Sequence, residues 1–432
     1  MSKKGYTMST PDTTKHPCFN VAVKGECGRI HLPVAPKCNI MCNYCNRKYD
    51  CMNESRPGVT SAVLKPHQAV EYLARVLEKE PRVTVVGIAG PGDPFANPEE
   101  TLETLRLIRE RFPRMLFCLS SNGLGVPAHL DKLKDYGVTH MTITVNAVDP
   151  EIGQEFYAWV RDGKKIYRGL EAAKLMLRRQ EAAIRGLKQR GITVKVNTII
   201  TPGVNDQHVE AIAARMRELD VDLLNCMPLY PTAETVFEDV REPDKEELER
   251  IRTMAEAYLP QMRHCKRCRA DAVGLLDQDK SPEFASCLSA CSKTLPPMRT
   301  EARPYVAVAS MEGVLINQHL GEAPSFQIWG RENGSYAMLE VRTAPPKGGG
   351  ANRWYALADL LKDCRAVLVS GVGDTPMAIL SEEGATPLEM SGFIQEGLEA
   401  VYTAGNVNAF KRRREGKTCK AMGCTGDGGG CG

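Results

Sequence analysis

The sequence lacks any hydrophobic run long enough to cross a membrane, since none approaches the ~18 consecutive apolar residues of a transmembrane helix. Its first residues, MSKKGYTMSTPDTTKHP, are polar and have no apolar signal core, so we expect a cytoplasmic protein. A strong charge of either sign is also absent, because 56 Lys and Arg residues face 53 Asp and Glu residues. This balance gives no reason to expect a surface that binds nucleic acid or membranes.

Cysteine, in contrast, is abundant, with 16 residues in a chain of 432. In a protein that is not exported, so many thiols indicate metal ligation rather than disulfide bonds. The compartment is then expected to be reducing. The chain is also too long for one compact core, so two domains with tails are expected.

The spacing of Cys38, Cys42 and Cys45 is the most specific signal in the sequence. Thiolates in a C-x3-C-x2-C loop can bind three corners of a four-iron four-sulfur cluster, which leaves the fourth iron open to a non-protein ligand. Zinc is the main alternative, but zinc prefers four ligands, usually in two separated pairs. The spacing therefore favours an iron–sulfur cluster with one open iron.

This loop resembles that of the radical S-adenosylmethionine (SAM) enzymes. In that superfamily the open iron binds the amino and carboxylate groups of SAM, and an electron from the cluster cleaves SAM to a 5′-deoxyadenosyl radical. No amino-acid side chain can supply this chemistry. The resemblance implies an enzyme with a four-iron four-sulfur cluster on the three cysteines and SAM as cosubstrate.

Strand and helix patterns alternate six times after residue 28, which indicates parallel strands joined by right-handed crossovers. Six units make a partial (β/α)6 barrel of the TIM type, which is also the fold of radical SAM enzymes. Active-site groups of such barrels lie at the carboxyl ends of the strands, and the three-cysteine loop follows the first predicted strand. The predicted strands are 28–35, 83–89, 115–120, 140–146, 193–200 and 222–227, and the predicted helices are 66–79, 98–111, 128–136, 167–190, 206–219 and 244–258.

Composition divides the chain into five parts. A disordered N-terminal extension is expected at 1–27, the barrel at 28–276, and a linker rich in Pro, Ser and charge at 277–303. A smaller α/β domain is predicted at 304–404. The Cys- and Gly-rich tail at 405–432 cannot bury a core and is expected to be disordered.

Six further potential ligands lie where a barrel would direct them inward or to its mouth. Each alone has an ordinary explanation, because free Cys is among the most buried residue types and often only fills space. The C-x2-C pair among them lacks the second pair that a zinc site would need. Together the six could form two sets of three ligands. Each set would again leave one iron of a four-iron cluster without a protein ligand. They are His31, Cys51, Cys118, Cys18, Cys265 and Cys268.

Longer stretches narrow the resemblance to the radical SAM enzymes of nitrogenase cofactor assembly. The second domain resembles the NifX-type carriers of iron–sulfur cofactor precursors, which implies a ribonuclease H-like fold for it. The stretches that carry the first resemblance are His16-Pro17-Cys18, Arg29-Ile30-His31-Leu32-Pro33, Cys45-Asn46-Arg47-Lys48-Tyr49-Asp50-Cys51 and Asn53-Glu54-Ser55-Arg56-Pro57-Gly58-Val59.

The resemblance implies a reaction in which two four-iron four-sulfur clusters are substrates. They are fused into an eight-iron cluster with a central carbide, whose carbon comes from a SAM methyl group. Carried over by position, one cluster would be held by His31, Cys51 and Cys118. The other would be held by Cys18, Cys265 and Cys268. The implied partners are iron–sulfur cluster donors, an electron donor such as ferredoxin, NifX-type carriers and the NifEN scaffold.

Candidate contacts to SAM lie at the ends of several predicted strands. Glycines in the stretch Gly90-Pro91-Gly92-Asp93 would let backbone carbonyls approach the ligand, and Asp93 could accept a hydrogen bond from the SAM ammonium group. A plain turn between strand and helix explains this stretch equally well. The remaining candidates are Ser120, Asn122, Asn146 and Asn197.

Glu54, three residues after Cys51, is the candidate catalytic residue, which could position SAM or relay a proton. A surface salt bridge with Arg56 is the alternative. Two other functions stay open for the whole chain. It could be a radical SAM peptide maturase whose extra clusters are electron relays, or a non-catalytic iron–sulfur scaffold or carrier. His319, in a turn-like stretch of the second domain, is a candidate ligand for the finished cluster.

Overall fold

The computed structural model describes residues 12–53, 58–294, 303–332 and 335–402. The chain forms two compact units, Met1–Leu295 and Pro296–Gly432. None of the helices in these residues combines the length and the apolarity needed to cross a membrane. The elements of the first unit are β1 (Gly28–His31), β2 (Ile40–Cys42), α1 (Pro66–Lys79), β3 (Val83–Ile88), α2 (Pro98–Arg111), β4 (Leu116–Ser121), α3 (Leu130–Asp135), β5 (Val138–Thr144), α4 (Pro150–Gly153), β6 (Tyr157–Asp162), β7 (Lys165–Tyr167), α5 (Gly169–Gln189), β8 (Thr193–Ile200), α6 (Val209–Glu218), β9 (Leu223–Pro228), α7 (Lys245–Glu256), β10 (Val273–Leu275), β11 (Gln278–Asp279) and α8 (Ser281–Cys291).

The main sheet of the first unit confirms the predicted partial (β/α)6 barrel. Its strand order is β11-β10-β1-β3-β4-β5-β8-β9, in which the last six strands are parallel and β10 and β11 are antiparallel. All six predicted strands and all six predicted helices are present, with small differences at most ends, but the first strand ends at His31 and not at residue 35. The carboxyl ends of the six parallel strands therefore meet at one mouth.

Local sequence explains why these elements form. Helix α1 begins with Pro66 at a position where the missing N–H costs nothing, and the side chain of Gln68 accepts the backbone N–H of Lys65. Its buried residues include Ala69, Leu73 and Val76, which lie on one helical face. Strand β8, which lies between β5 and β9, is buried along almost its whole length, as expected for a parallel strand that is covered on both faces.

The N-terminal segment is ordered from residue 12, so the prediction of disorder for 1–27 is wrong over 12–27. Residues Thr13–Lys15 and Val21–Val23 form short 3-10 turns that are capped by Asp12 and Asn20. The ring of His16 is only 1% exposed, since it packs inside the barrel unit. Residues 1–11 lie outside the described residues.

The predicted linker at 277–303 also differs from the structure. Helix α8 lies within it and packs against α1 through a stripe formed by Phe284, Leu288 and Cys291. This spacing places the three side chains on one helical face. The barrel unit therefore includes this helix, while the predicted tail at 405–432 lies outside the described residues.

The second unit contains one five-stranded sheet, which confirms the predicted smaller α/β domain. The strand order is β14-β13-β12-β15-β16, where β13 is antiparallel to both of its neighbours and the others are parallel. An isolated antiparallel bridge joins Leu315 to Phe393 outside this sheet. The elements are β12 (Tyr305–Val308), β13 (Ser325–Glu332), β14 (Ser335–Thr343), α9 (Ala351–Leu360), β15 (Cys364–Val369), α10 (Asp374–Glu382), β16 (Thr386–Glu389) and α11 (Ile394–Tyr402).

Candidate iron–sulfur centre

The three-cysteine loop is held between the barrel and a small separate sheet. Cys42 is the last residue of β2. This strand pairs with β6, where Cys42 lies opposite Tyr157. The backbone N–H of Cys45 then donates to the carbonyl of Cys42 over 3.0 Å, which turns the chain back toward the first two thiols. The structure thus brings Cys38, Cys42 and Cys45 together in one loop, with Cys42 buried and the other two half-buried.

The protonation of these thiols suits a metal cluster. Burial, followed by the neighbouring Asp93 carboxylate, raises the pKa of Cys38 to about 12. Burial and the other two thiols raise the pKa of Cys42 well above its ordinary value, and burial also raises the pKa of Cys45. Such thiols keep their protons at neutral pH until a metal displaces them. The loop therefore fits three cluster ligands.

The segment that follows β3 supports this loop directly. The carbonyl of Gly90 accepts the N–H of Ala35, and the N–H groups of Gly92 and Asp93 donate to Ala35 and Lys37. A Cβ on Gly92 would overlap the carbonyl oxygen of Lys37, so only glycine allows this close approach. The stretch 90–93 thus positions the chain that enters Cys38.

Asp93, which we predicted as a SAM contact, already has several partners within the protein. Its buried carboxylate accepts the N–H groups of Phe95 and Asn122 over 2.8 and 2.7 Å and the hydroxyl of Ser121 over 3.0 Å. The side chain of Asn122 in turn donates to Asn39 of the cysteine loop over 2.7 Å. These bonds tie the loop to the ends of β3 and β4.

A chain of buried hydrogen bonds continues from the loop across the barrel. The hydroxyl of Tyr44 donates to Asn53 over 2.6 Å and accepts from Asn146 over 2.9 Å. Asn197 donates to the backbone carbonyl of Asn53 over 2.8 Å and accepts from Asn225 over 3.0 Å. Asn146 and Asn197, two predicted SAM contacts, therefore connect the cysteine loop with β5, β8 and the segment after Cys51.

A cavity inside the barrel brings together five of the six further candidate ligands. It is lined by residues of the N-terminal segment, of β1, β3, β4, β5 and β8, and of the loop after α7. The predicted SAM contact Ser120 lies on its wall as well. The five candidate ligands are Cys18, His31, Cys118, Cys265 and Cys268.

Cys51 is not on the wall of this cavity. Burial raises its pKa well above the ordinary value, and the nearby thiols of Cys45 and Cys38 raise it further. Cys51 therefore lies on the side of the three-cysteine loop. The set of His31, Cys51 and Cys118 is thus spread between the loop and the cavity.

His31 has the tautomer of a metal ligand. Its Nδ1 lies 2.9 Å from the carbonyl oxygen of Arg269, which can only accept, so Nδ1 carries the proton and the lone pair is at Nε2. The ring lies over Gly87 of β3, where an added Cβ would come within 3.0 Å of Nε2. Gly87 therefore makes room for the ring, which sequence reasoning did not predict.

Two N–H donors reach the sulfur atoms of the C-x2-C pair. Nε of the buried Arg29 lies 3.3 Å from Sγ of Cys268, and Nδ2 of Asn225 lies 3.5 Å from Sγ of Cys265. Burial, followed by Cys268, raises the pKa of Cys18 well above its ordinary value, which places these two thiols close together. Partners of this kind orient metal ligands.

Arg267 connects the C-x2-C loop with the segment of Cys51. Its backbone φ is +49°, a left-handed conformation that is uncommon for residues other than glycine. Its guanidinium donates to the carbonyl of Pro228 over 2.7 Å and to the carbonyl of Met52 over 2.9 Å. Sequence reasoning missed this residue, because nothing in the local pattern reveals its distant partners.

Within the described residues, no three His, Cys, Asp or Glu side chains are close enough together to hold a single metal ion. The thiolates of a four-iron cluster bond different irons, so a cluster needs a wider ligand set. The cavity residues fit that requirement in their chemistry, with thiols, one imidazole and N–H donors to sulfur.

Two candidates lie apart from this centre. Glu54 falls outside the described residues, so its catalytic role stays a prediction. His319 belongs to the second unit, where it is exposed and its Nδ1 accepts the backbone N–H of Gly321 over 3.1 Å. Its ring lies against Gly371. The role of His319 as a ligand also stays a prediction.

Comparisons with known proteins agree with both units. Residues 32–216 match the family described as Radical SAM superfamily, and residues 303–404 match the family described as Dinitrogenase iron-molybdenum cofactor. A solved structure, that of methylornithine synthase, is 15% identical with a TM-score of 0.36 and covers 58% of this chain and 75% of its own.

Two relatives carry the same printed name, FeMo cofactor biosynthesis protein NifB. The protein from Chlorobaculum tepidum is 52% identical over 424 residues, which cover 98% of this chain and 100% of the relative. The protein from Klebsiella pneumoniae is 39% identical over 404 residues, or 86% of each chain. Identity of this extent, over both units, makes the chain a radical SAM member of the NifB family of FeMo cofactor biosynthesis proteins.

Proposed function

We propose that this chain fuses two four-iron four-sulfur clusters and inserts a SAM-derived carbide, which yields the eight-iron precursor of the nitrogenase cofactor. The observation that carries this proposal is the cavity with five candidate ligands inside the barrel. A radical SAM enzyme with an ordinary organic substrate has no need for so many additional thiol and imidazole side chains near its barrel cavity. The sixth candidate, Cys51, lies on the side of the three-cysteine loop.

The resident cluster and SAM would start the reaction. Cys38, Cys42 and Cys45 would hold the cluster, which supplies the electron that cleaves SAM. The hydrogen-bonded stretch 90–93 and Asn122 hold this loop in place. The barrel wall would shield the site from water, so that a reactive carbon species would react with the substrate and not with water.

The two substrate clusters would occupy the two further ligand sets. Three ligands for each cluster leave one iron without a protein bond, which suits a substrate that must be released after fusion. Imidazole in one set favours release further, because a neutral imidazole binds iron more weakly than a thiolate does. The two sets are His31, Cys51 and Cys118, and Cys18, Cys265 and Cys268.

The second unit would carry the product or dock the next assembly protein. Its match to the iron-molybdenum cofactor family and the exposed His319 support this role. Partners of the whole chain would be iron–sulfur cluster donors, an electron donor such as ferredoxin, NifX-type carriers and the NifEN scaffold.

Anaerobic incubation of the loaded protein with dithionite and SAM tests the reaction. The proposal expects 5′-deoxyadenosine and S-adenosylhomocysteine without any peptide, because methyl transfer and radical formation use separate SAM molecules. Cys118→Ala and Cys268→Ala should each bind about four fewer irons and give no carbide-containing product. Deoxyadenosine formation that requires a peptide would indicate a peptide maturase instead, and absence of both products would indicate a scaffold.

A further inference from the structure

Two histidines line the same cavity, and their hydrogen bonds fix opposite tautomers. His31 donates its Nδ1–H to the carbonyl of Arg269, so its lone pair is at Nε2. His16 instead accepts, since its Nδ1 receives the backbone N–H of Cys18 over 3.2 Å. An Nδ1 that accepts carries no proton, so the proton of the His16 ring is on Nε2. One ring presents an acceptor to metal and the other presents a donor.

The donor of His16 is buried and has no hydrogen-bond partner in the described residues. The side chain is 1% exposed, and Nε2 makes no hydrogen bond to protein. A buried donor without a partner has lost its hydrogen bond to water and gained none in return, so proteins rarely keep one without a reason. The ring packs against Phe19 and His140, with centroid distances of 4.8 and 4.3 Å. A ligand in the cavity is therefore the natural partner for this N–H.

We infer that His16 donates its Nε2–H to a sulfur atom of the substrate cluster held by Cys18, Cys265 and Cys268. The inference rests on the ligand set given under the proposed function and adds a residue that is not itself a ligand. It places three N–H donors around this cluster, since Arg29 and Asn225 already reach the sulfur atoms of Cys268 and Cys265. The bond from Cys18 to His16 keeps donor and ligand together.

His16 is thus a positioning residue with a defined electronic effect. A hydrogen bond to cluster sulfur stabilises the more negative, reduced state and raises the reduction potential. Direct ligation of iron by His16 would require Nε2 to lose its proton while Nδ1 gives up its bond to Cys18. The two roles therefore differ in tautomer and can be separated by spectroscopy.

The test uses the full chain in a background that leaves only this cluster. Cys38, Cys42, Cys45 and His31 are replaced by Ala, the protein is reconstituted with iron and sulfide, and the cluster is titrated by EPR. His16→Leu should reduce the equilibrium constant for reduction about tenfold, or about 59 mV for one electron. His16→Gln, which retains an N–H donor, should recover part of the loss. Phe19→Leu is the matched control, because it loosens the ring packing but keeps the donor.

A second readout needs no substitution at His16. With histidine labelled by 15N, the cluster should show a weak nitrogen coupling and an exchangeable deuteron in D₂O. A strong nitrogen coupling would mean direct ligation, and no coupling at all would mean no contact; either result overturns the inference. Equal potentials of His16→Leu and the parent at equal iron content would also overturn it.

The ligand set itself has a separate check. Cys18→Ala in the same background should lose the cluster. If the cluster persists in Cys18→Ala, the ligand set is wrong, irrespective of the result at position 16. If His16→Leu cannot hold a cluster, the deuteron and nitrogen couplings of the protein that retains His16 decide the question.

Discussion

Several candidate cysteines have surroundings that favour the neutral thiol, so a metal must displace a proton from each of these. Burial is the first cause of the raised pKa of Cys18, Cys38, Cys42 and Cys51. The same burial that makes these thiols inert without metal makes them strong ligands once a cluster supplies positive charge. Loading should therefore release protons and proceed more readily at higher pH.

The raised pKa of Cys38 makes the stability of the metal-free protein depend on pH. Its pKa rises from 9.0 to about 12 on folding, mainly through burial. A raised pKa means that the folded state favours the protonated thiol, so this stability is fully present below pH 9.0 and is lost as the pH rises toward 12. We expect Cys38 alone to lower the free energy of unfolding of reduced, metal-free protein over this window by about 1.4 kcal/mol for each pH unit.

Urea unfolding at several pH values measures this dependence. Cys38→Ala removes the titrating group and should give a shallower decline over the same window. Identical pH profiles for the parent and Cys38→Ala would show that Cys38 does not contribute.

Gly87 provides a sharp test of the His31 site. An added Cβ would come within 3.0 Å of Nε2 and closer still to Cδ2 of the His31 ring, so Gly87→Ala should displace the ligand atom. We expect about four fewer bound irons per chain, with SAM cleavage by the Cys38 loop retained. Gly25→Ala is the matched control, because nothing lies within 4 Å of its added Cβ. Full iron content in Gly87→Ala would argue against His31 as a ligand.

The sequence identified the candidate ligands but not the residues that support them. Cysteines stand out by type and spacing, whereas Gly87, His16 and Asn225 acquire their roles from contacts across the fold. Arg29 and Cys268, for example, are 239 positions apart in the chain. No local pattern reveals such a pair, so these supporting residues require the three-dimensional structure.

At the level of elements, periodicity predicted the six strand–helix units well, because each buries a face that its own spacing defines. Elements that depend on distant partners were missed. Strand β2 has three residues and exists through pairing with β6, which lies more than 100 residues later. Helix α8 was taken for linker because Pro, Ser and charge surround its short apolar stripe.

The C-x2-C loop and the segment of Cys51 should behave as one element, since Arg267 of that loop donates to Met52, next to Cys51, and to Pro228 at the end of β9. Arg267→Lys keeps the charge but cannot reach both carbonyls with a planar fork. Loss of one buried hydrogen bond costs about 1–3 kcal/mol, which should loosen Cys51 and Cys268 together. We expect lower iron content at both substrate sites and an intact EPR signal of the Cys38 loop with SAM. Loss of only one substrate cluster would show that the two segments are independent. Arg263→Lys serves as the control, because Arg263 pairs with Glu256 on the surface and does not line the cavity.

At the level of the whole molecule, the chain joins a radical SAM barrel to a domain of the cofactor family. Both domains were predicted, the first from cysteine spacing and strand–helix alternation, the second by resemblance. The boundary between them was predicted too early, because the barrel continues through α8. Gln68 of α1 also donates to the carbonyls of Ser292 and Thr294, which follow the end of α8.

This boundary decides how the domains should be separated experimentally. Truncation after Thr294 keeps α8 and its contacts with Gln68, so the barrel should retain its stability, its clusters and SAM cleavage. Delivery of the finished cofactor precursor to an acceptor protein should fall, since the proposed carrier domain is gone.

Truncation after Lys280 is the contrasting variant, because it exposes the surface covered by Phe284, Leu288 and Cys291. Phe284 and Leu288 each contribute about 1.5–3 kcal/mol by burial, so this shorter chain should unfold readily. Equal delivery by the full chain and by the chain ending at Thr294 would place the carrier function elsewhere.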